Sequence, residues 1–499
     1  MKRRVQDPLR GIAGEAFWVL GSTTVIALAG VGLNVLIGNL FGSGGLGVYT
    51  LFMTVYLAAG TLASLGLPGA VTKFATEHRF LPELERRYLS SALILSLAGS
   101  LAVCLLLLVF RDSLAGILRT PRLSVLIGIS VAGIPLFAVN KMILARIRGL
   151  RRIRNFAIGE SWRVILIVGV TLLLVMVRRT LVAAAAALVV SEGLLFVLLA
   201  WAGKIYAKFT LSGLRKPFKH LMSYGRRILL SRFFLELDGR IAFLLGGYFL
   251  GTGPVGILSV AFLFTQGLTL LPTALIKVTG PVITELYLAD RRDALTNFIR
   301  NTIGITLFLL AGTALVLWWG FHPLIAVLYP GKPLFQQAFV PFGILAVGLV
   351  LRGGVGAVGS VFVSMGRPDI VMKLSPIRLL INITASLALV SPFGLSGIAA
   401  GTSVTGVAVF LLWVFAMRKA EEIRIRAVRL CLLPFFALLL AVISSFLSGR
   451  FPSWLVYPVA LALYGLAGYV FLGIREYFVR LSSSHALHGS VGSGGKEEA

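Results

Sequence analysis

Apolar residues run along this chain in long stretches, separated by short polar segments that carry most of the charge. Crossing a bilayer as a helix takes about 20 residues, because each adds about 1.5 Å against about 30 Å of hydrocarbon. On that ruler the sequence predicts fourteen spans, at about 16–40, 46–66, 88–110, 123–140, 156–177, 181–201, 229–250, 255–275, 301–320, 336–364, 370–391, 395–417, 430–447 and 454–474. The first follows a basic stretch, Met1 to Arg10, without a small-residue cleavage site. It is therefore expected to stay as a span. The polar, Gly/Ser-rich tail at 481–499 is expected to be disordered.

Composition supports the same reading. Hydrophobic residues make up 58% of the 499 and charged residues 13%, whereas a soluble domain carries about a quarter charged residues. Lipid has to solvate such a chain. A net charge of +28 raises the possibility of nucleic-acid binding, but the cations sit in clusters between the spans, and no nucleic-acid partner is expected. With the N-terminus inside, only seven of the 47 Lys and Arg fall in external segments: Arg111, Arg119, Arg122, Arg178, Arg179, Lys332 and Arg450. A miscounted helix would swap every later loop and erase that asymmetry. The expectation is a multi-pass protein of the cytoplasmic membrane, with both termini cytoplasmic. Cys104 and Cys431 lie in apolar segments and suggest neither a disulfide framework nor a metal site.

The chain also matches itself at an offset of 209 residues. Leu36, Gly38, Gly42, Gly44 and Gly47 align with Leu245, Gly247, Gly251, Gly253 and Gly256, and Ser43 faces Thr252. In each half the stretch is read as a tight external turn between the first two helices of a six-helix unit, so Gly42, Gly47, Gly251 and Gly256 are turn or hinge candidates. A weaker echo near offset 215 sets Arg163 against Arg378 and the Ala-rich run at 182–186 against 397–401. Six is even, so the two units share one orientation, and parallel repeats of this kind place a cavity between lobes that rock in alternation. The expected layout is an all-α protein with an N-terminal lobe at 1–203, a basic linker at 204–228 and a C-terminal lobe at 229–420. Helices 13 and 14 follow at 421–480, and the tail at 481–499.

Several motifs carry a family resemblance. They are Gly38-Asn39-Leu40-Phe41-Gly42 with Gly47-Val48-Tyr49, then Leu65-Gly66-Leu67 with Thr72-Lys73-Phe74. The run Arg148-Gly149-Leu150-Arg151-Arg152-Ile153 follows, then Asp238, Gly251, Gly256, the neighbourhood of Pro281, and the stretch from Phe393 to Gly401. In this order, over residues 14–420, the chain resembles the polysaccharide and oligosaccharide flippases of the superfamily that also holds multidrug exporters and the lipid II flippase. The resemblance implies two six-helix lobes, alternating access and a sugar linked to a lipid pyrophosphate as cargo. The partners that go with it are the lipid-linked saccharide, membrane lipids, a polysaccharide polymerase and glycosyltransferases, and the protein is expected to act as a monomer without a cofactor.

Charges inside spans mark where such a cargo could be handled. Each costs about 2.5–3.5 kcal/mol at mid-bilayer and persists where it pairs or faces water. Arg232, Glu236 and Arg240 lie at i, i+4 and i+8 on one face of span seven. They form either a salt-bridge stripe, with Arg232 snorkelling, or a cavity cation, Arg240, steadied by Glu236. Asp238 has no partner on its own helix. It is read as a proton site, a Na⁺ ligand or the partner of a cation on another span. Arg352 sits mid-span beside Gly353, Gly354 and Gly356. Glu160 and Arg163 are spaced to satisfy each other, Arg378 is their echo without the acid, and Glu192 is a spare partner. The substrate-cavity candidates are thus Arg240, Arg352, Arg378 and Arg163. The candidates for H⁺ or Na⁺ coupling or charge pairing are Asp238, Glu236, Glu192 and Glu160. Pro135, Pro272 and Pro341 can kink spans, and Lys277 is expected to snorkel.

A drug or metabolite exporter and a lipid II flippase are the nearest alternatives. The first span holds no Asp or Glu, and spans one and two hold no Arg, which weighs against each in turn. An enzyme is not expected: external segments carry one carboxylate, Asp112, and one histidine, His322, too little for paired acid/base work. No phosphate-cradling Gly-Lys-Ser/Thr loop is present.

Overall fold

A computed structural model describes residues 8–203, 209–364, 368–421 and 427–472. The N-terminal basic residues before Pro8 and the tail at 481–499 lie outside the described residues, as do the side chains of Pro272 and Lys277. Among the described residues the regular structure is helical throughout, as expected where no water can satisfy an exposed backbone. The helices are α1 (Pro8–Ala63), α2 (Leu67–Glu77), α3 (Pro82–Ile117), α4 (Arg122–Ser130) and α5 (Gly133–Gly149). Then come α6 (Ile153–Arg178), α7 (Leu181–Gly203), α8 (Arg215–Asp238), α9 (Ile241–Leu250) and α10 (Thr252–Leu288). After α11 (Arg292–Leu328) and a 3₁₀ turn (Pro333–Ala338) follow α12 (Phe339–Ser364), α13 (Pro368–Glu421), α14 (Ala427–Leu447) and α15 (Ser453–Leu472).

Each predicted span falls on a helix, on a broken pair or on one arm of a kinked helix. The arms of α1 meet at Gly42 (φ 69°, ψ −172°) and those of α13 at Gly394 (φ 55°, ψ −126°). Gly251, between α9 and α10, has nearly the backbone of Gly42 (φ 85°, ψ −176°). These are angles that glycine adopts without Cβ strain, and the two turns lie 209 residues apart, as the repeat requires. Polarity is inverted relative to a soluble protein. On α3, Ser96 and Ser100 are fully buried while Leu101 and Leu105 are 58% and 66% exposed. Small polar residues inside and leucines outside are the arrangement of helices packed in lipid. This is a multi-pass all-α membrane protein.

Two spans depart from straight helices. Span four bends by 50° between α4 and α5. Pro135 lacks the N–H that would bond to the Val131 carbonyl, and the Cys104 thiol donates to that oxygen at 3.3 Å. Span seven is interrupted at Gly239 and Arg240, so α8 and α9 are separate helices. The second half of the basic linker is helical, since α8 starts at Arg215.

The chain forms two compact units. One comprises Met1–Leu270, His322–Gly348 and Gly366–Ala408. Within it the duplicated turns pack on each other: a Cβ on Gly47 would lie 1.7 Å from the Thr252 carbonyl oxygen, and one on Gly256 would lie 1.9 Å from that of Ser43. Residues 43 and 47 thus meet their own repeat equivalents, 252 and 256, around a local pseudo-two-fold. One helix length away, about 28 Å at 1.5 Å per residue, a second close approach sets Gly66 (φ 67°) against the Gly225 carbonyl of α8. A buried cluster including Leu67, Val71, Tyr88, Met142 and Leu221 fills the space around it.

The other unit comprises Leu271–Phe321, Leu349–Met365 and Val409–Ala499. Here α14 and α15 dock on α11. Trp318 and Trp319 donate to Ser445 and Ser444 at 2.9 and 2.8 Å, and the Tyr464 hydroxyl donates to the Phe308 carbonyl at 2.7 Å. The Tyr464 and Phe308 rings stack at 4.9 Å.

Candidate functional site

Two buried charge networks lie in the first unit. In one, Arg163 of α6 reaches Glu192 of α7, with Nε and Nη2 at 2.9 and 2.8 Å from Oε1. The Arg163 guanidinium also lies 4.2 Å from the Phe137 ring centre. Asn140 of α5 donates its amide both to Glu192 Oε2 and to the Glu192 backbone carbonyl, each at 2.9 Å. The Glu192 side chain is 1% exposed, so it needs a compensating cation. This corrects the expected Glu160–Arg163 pair. Arg163 is long enough to cross to α7, where the buried acid has the greater need, and Glu160 instead lies 3.8 Å from Lys141 Nζ.

The second network repeats the pattern with different helices. Arg378 of α13, the offset-215 counterpart of Arg163, pairs with Asp238 at the end of α8, its Nε 2.6 Å from Oδ2. Asn382, one turn beyond Arg378, donates to Asp238 Oδ1 at 3.0 Å and to the Asp238 carbonyl at 3.2 Å. Each network therefore holds an acid, an arginine and an asparagine forked over the acid's carboxylate and its own backbone. The break after Asp238 explains the second fork. The last carbonyls of a helix lack intrahelical donors, and Asn382 supplies one. Of the three readings open for Asp238, pairing with a cation on another span is the one present. Arg378 is accordingly not a free cavity cation.

Arg240 lies just past the same break, at the N-cap of α9 with φ −125°. It still reaches back to Glu236, with Nε 2.5 Å from Oε1, and the two side chains are 25% and 30% exposed. This pair is more accessible than the two buried networks. Arg352 of α12 lies in the second unit, half-buried. The close approach expected of its glycine neighbours occurs at Gly354, where a Cβ would lie 2.4 Å from a Leu307 methyl carbon. Sequence reasoning missed Asn140 and Asn382, whose only signal was a polar residue in an apolar run. A further buried pair joins Arg146 of α5 to Glu85 of α3.

Residues 12–287 match the family model described as polysaccharide biosynthesis protein. No curated protein matches the chain. Among solved structures, the fold is similar to a lipid II flippase, MurJ, in an inward closed conformation: TM-score 0.73, 15% identity, 90% of this chain and 98% of that one covered. It is also similar to an inward-facing multidrug resistance MATE family transporter of the MOP superfamily, with TM-score 0.64 and 18% identity over 80% and 96% of the two chains. A MOP superfamily transporter from Pyrococcus furiosus gives TM-score 0.61 at 17% identity over 83% and 96%. At these identities the likeness concerns the fold, while the match over more than half of the sequence settles membership: the chain belongs to the polysaccharide biosynthesis protein family and has the fold of the MOP transporters.

Proposed function

We propose that the protein is a flippase that moves a lipid-linked oligosaccharide, carried on a polyprenyl pyrophosphate, across the cytoplasmic membrane for surface polysaccharide biosynthesis. One coincidence carries the reading: a sequence of the polysaccharide biosynthesis family adopts, over 90% of its length, a fold similar to that of a lipid II flippase. Transport proceeds by alternating access between the lobes at 1–203 and 229–420. In this reading the glycine seam between residues 43–47 and 252–256 acts as a gate at one end of the pathway. Arg240 is a cargo-binding residue in this reading, and Glu236 holds it until an anionic headgroup takes its place. Drive by H⁺ or Na⁺ acts at Asp238 or Glu192, where the incoming cation has to compete with a guanidinium already bonded to the acid. The protein works as a monomer, receiving cargo from glycosyltransferases and delivering it to a polymerase.

A drug or metabolite exporter is the second reading, favoured by the fold shared with the MATE transporters. Deleting the gene in its host and measuring lipid-linked saccharides by mass spectrometry separates the two. Accumulated intermediate and reduced surface polymer support the flippase. Unchanged saccharide pools with greater sensitivity to cationic drugs support the exporter, and accumulated lipid II would make lipid II the cargo.

A further inference from the structure

Beside the glycine seam, the two copies of the repeat touch again at a second pair of contacts. Asn39, three residues before the kink at Gly42, donates its amide to the carbonyl of Leu328 at 2.8 Å. Leu328 is the last residue of α11, so its carbonyl has no donor within the helix. Tyr248 stands three residues before Gly251 on α9, and the Arg119 guanidinium, from the turn after α3, lies 5.8 Å from its ring centre. The 209-residue offset carries 39 to 248 and 119 to 328. Exchanging the two copies therefore turns one contact into the other. The sequence supports this match, since Pro121 after the first turn falls on Pro330 after the second. All four contacting residues belong to the first compact unit.

Glycine lets both contacts close. A Cβ on Gly38 would lie 2.6 Å from a ring carbon of Tyr329, and one on its counterpart Gly247 would lie 2.8 Å from a Leu51 methyl carbon. The motif Gly38-Asn39 is thereby accounted for: the glycine admits the neighbouring turn and the asparagine caps it.

The two contacts differ in strength. Arg119 and Tyr248 are exposed, and a cation–π contact at an exposed position is weak. Tyr329, beside the Asn39 contact, is 2% exposed and packed between Gly38 and the Phe335 ring, whose centre is 4.3 Å away. Its hydroxyl is buried and finds no hydrogen bond among the described residues. A buried hydroxyl without a partner opposes the packing that buries it. The Asn39 contact thus combines the stronger tie with a group that favours its release.

We propose that Asn39–Leu328 and Arg119–Tyr248 are reciprocal clasps that hold the seam end of the pathway shut, and that the buried Tyr329 hydroxyl sets how readily the stronger clasp releases. Closure as a step in transport rests on the alternating-access reading, whereas the clasps can be tested without any cargo. The experiment uses the full chain in phosphatidylcholine nanodiscs. Cys104→Ser/Cys431→Ser removes the native thiols, and Ser43→Cys at the seam is the reporter, its rate of labelling by a maleimide following the open population. Asn39→Ala is expected to label about fivefold faster, the size of one lost hydrogen bond. Arg119→Gln is expected to label about twofold faster. Tyr329→Phe keeps the ring and removes the hydroxyl; it should label more slowly than the parent and reverse most of the acceleration when combined with Asn39→Ala. Effects of opposite sign at one end of the fold exclude general misfolding.

Equal rates for the parent and Asn39→Ala overturn the clasps. Equal rates for the parent and Arg119→Gln overturn their reciprocity, and a Tyr329→Phe protein that labels as fast as the parent, or faster, overturns the role of the hydroxyl. The two readings fail separately. Saccharide pools unaffected by gene deletion refute the flippase while leaving the labelling result standing, and a working flippase whose Asn39→Ala variant labels like the parent refutes only the clasps.

Discussion

Adding one methyl group to Gly47 is expected to hold the duplicated turns apart and stop transport. A Cβ there would lie 1.7 Å from the Thr252 carbonyl oxygen and 2.6 Å from its carbon, whereas real Cβ atoms essentially never come closer than 3.0 Å to a neighbour. The turns must therefore separate by about 1.3 Å. The obstacle is backbone, so no side-chain rotation relieves it. Overpacking of this kind costs about 1–3 kcal/mol, and a bias of that size moves a two-state equilibrium about 5- to 150-fold. Gly256→Ala meets the Ser43 carbonyl in the same way, at 1.9 Å. The assay is labelling of Ser43→Cys by a membrane-impermeant maleimide, read beside the level of lipid-linked saccharide. Gly47→Ala should label faster by at least fivefold and accumulate the intermediate. Gly253→Ala, on the same turn but with nothing within 4 Å of its Cβ, should match the parent in both. Equal labelling of the Gly47→Ala and Gly253→Ala proteins would refute the idea that the glycine seam controls access.

Other expectations follow from the charge networks and the docking of the last helices. Glu192→Gln leaves Arg163 buried without its acid and should destabilise the protein by about 3–5 kcal/mol, measured by denaturant titration in detergent; Glu192→Leu/Arg163→Met should recover most of that loss. Asn382→Ala removes a hydrogen bond from both the Asp238 carboxylate and its carbonyl, and a loss of about 1–3 kcal/mol is expected, with no change if water replaces the amide fully. Tyr464→Phe removes the bond to the Phe308 carbonyl but keeps the ring stack; thermal unfolding should report about 1 kcal/mol. Arg240→Ala should accumulate lipid-linked saccharide at normal membrane levels of the protein, and a fully active Arg240→Ala variant would remove that residue from the cargo path.

Much of the fold was legible because lipid imposes a simple requirement. A backbone without water has to close its own hydrogen bonds, so most spans are long apolar helices that hydropathy can count. The turns at Gly42 and Gly251 were legible for a second reason: a positive φ selects glycine, and the repeat displays that selection twice. Partners of the buried charges were not legible. A helical pattern shows neighbours three and four residues away, which suggested Glu160 for Arg163, whereas the actual acid is 29 residues on, on another helix. Asp238 and Arg378 are 140 residues apart. Nor did any local signal foretell the break at Gly239, where the tie to Asn382 offsets the interrupted helix.

That tie makes the geometry of span seven depend on ionisation. Asn382 grips the Asp238 carboxylate and, through the same nitrogen, the last carbonyl of α8, while Arg378 stands at that helix end, where the macrodipole is negative. Protonating the carboxylate, or drawing Arg378 away, weakens the anchor that holds the end of α8. Conversely, pulling α8 and α9 into a single straight rod takes the carboxylate out of its cradle and away from Arg378 and Asn382. The shape of span seven and the position of α13 are therefore coupled directly: a change in one is felt by the other, without any signal having to travel through the rest of the protein.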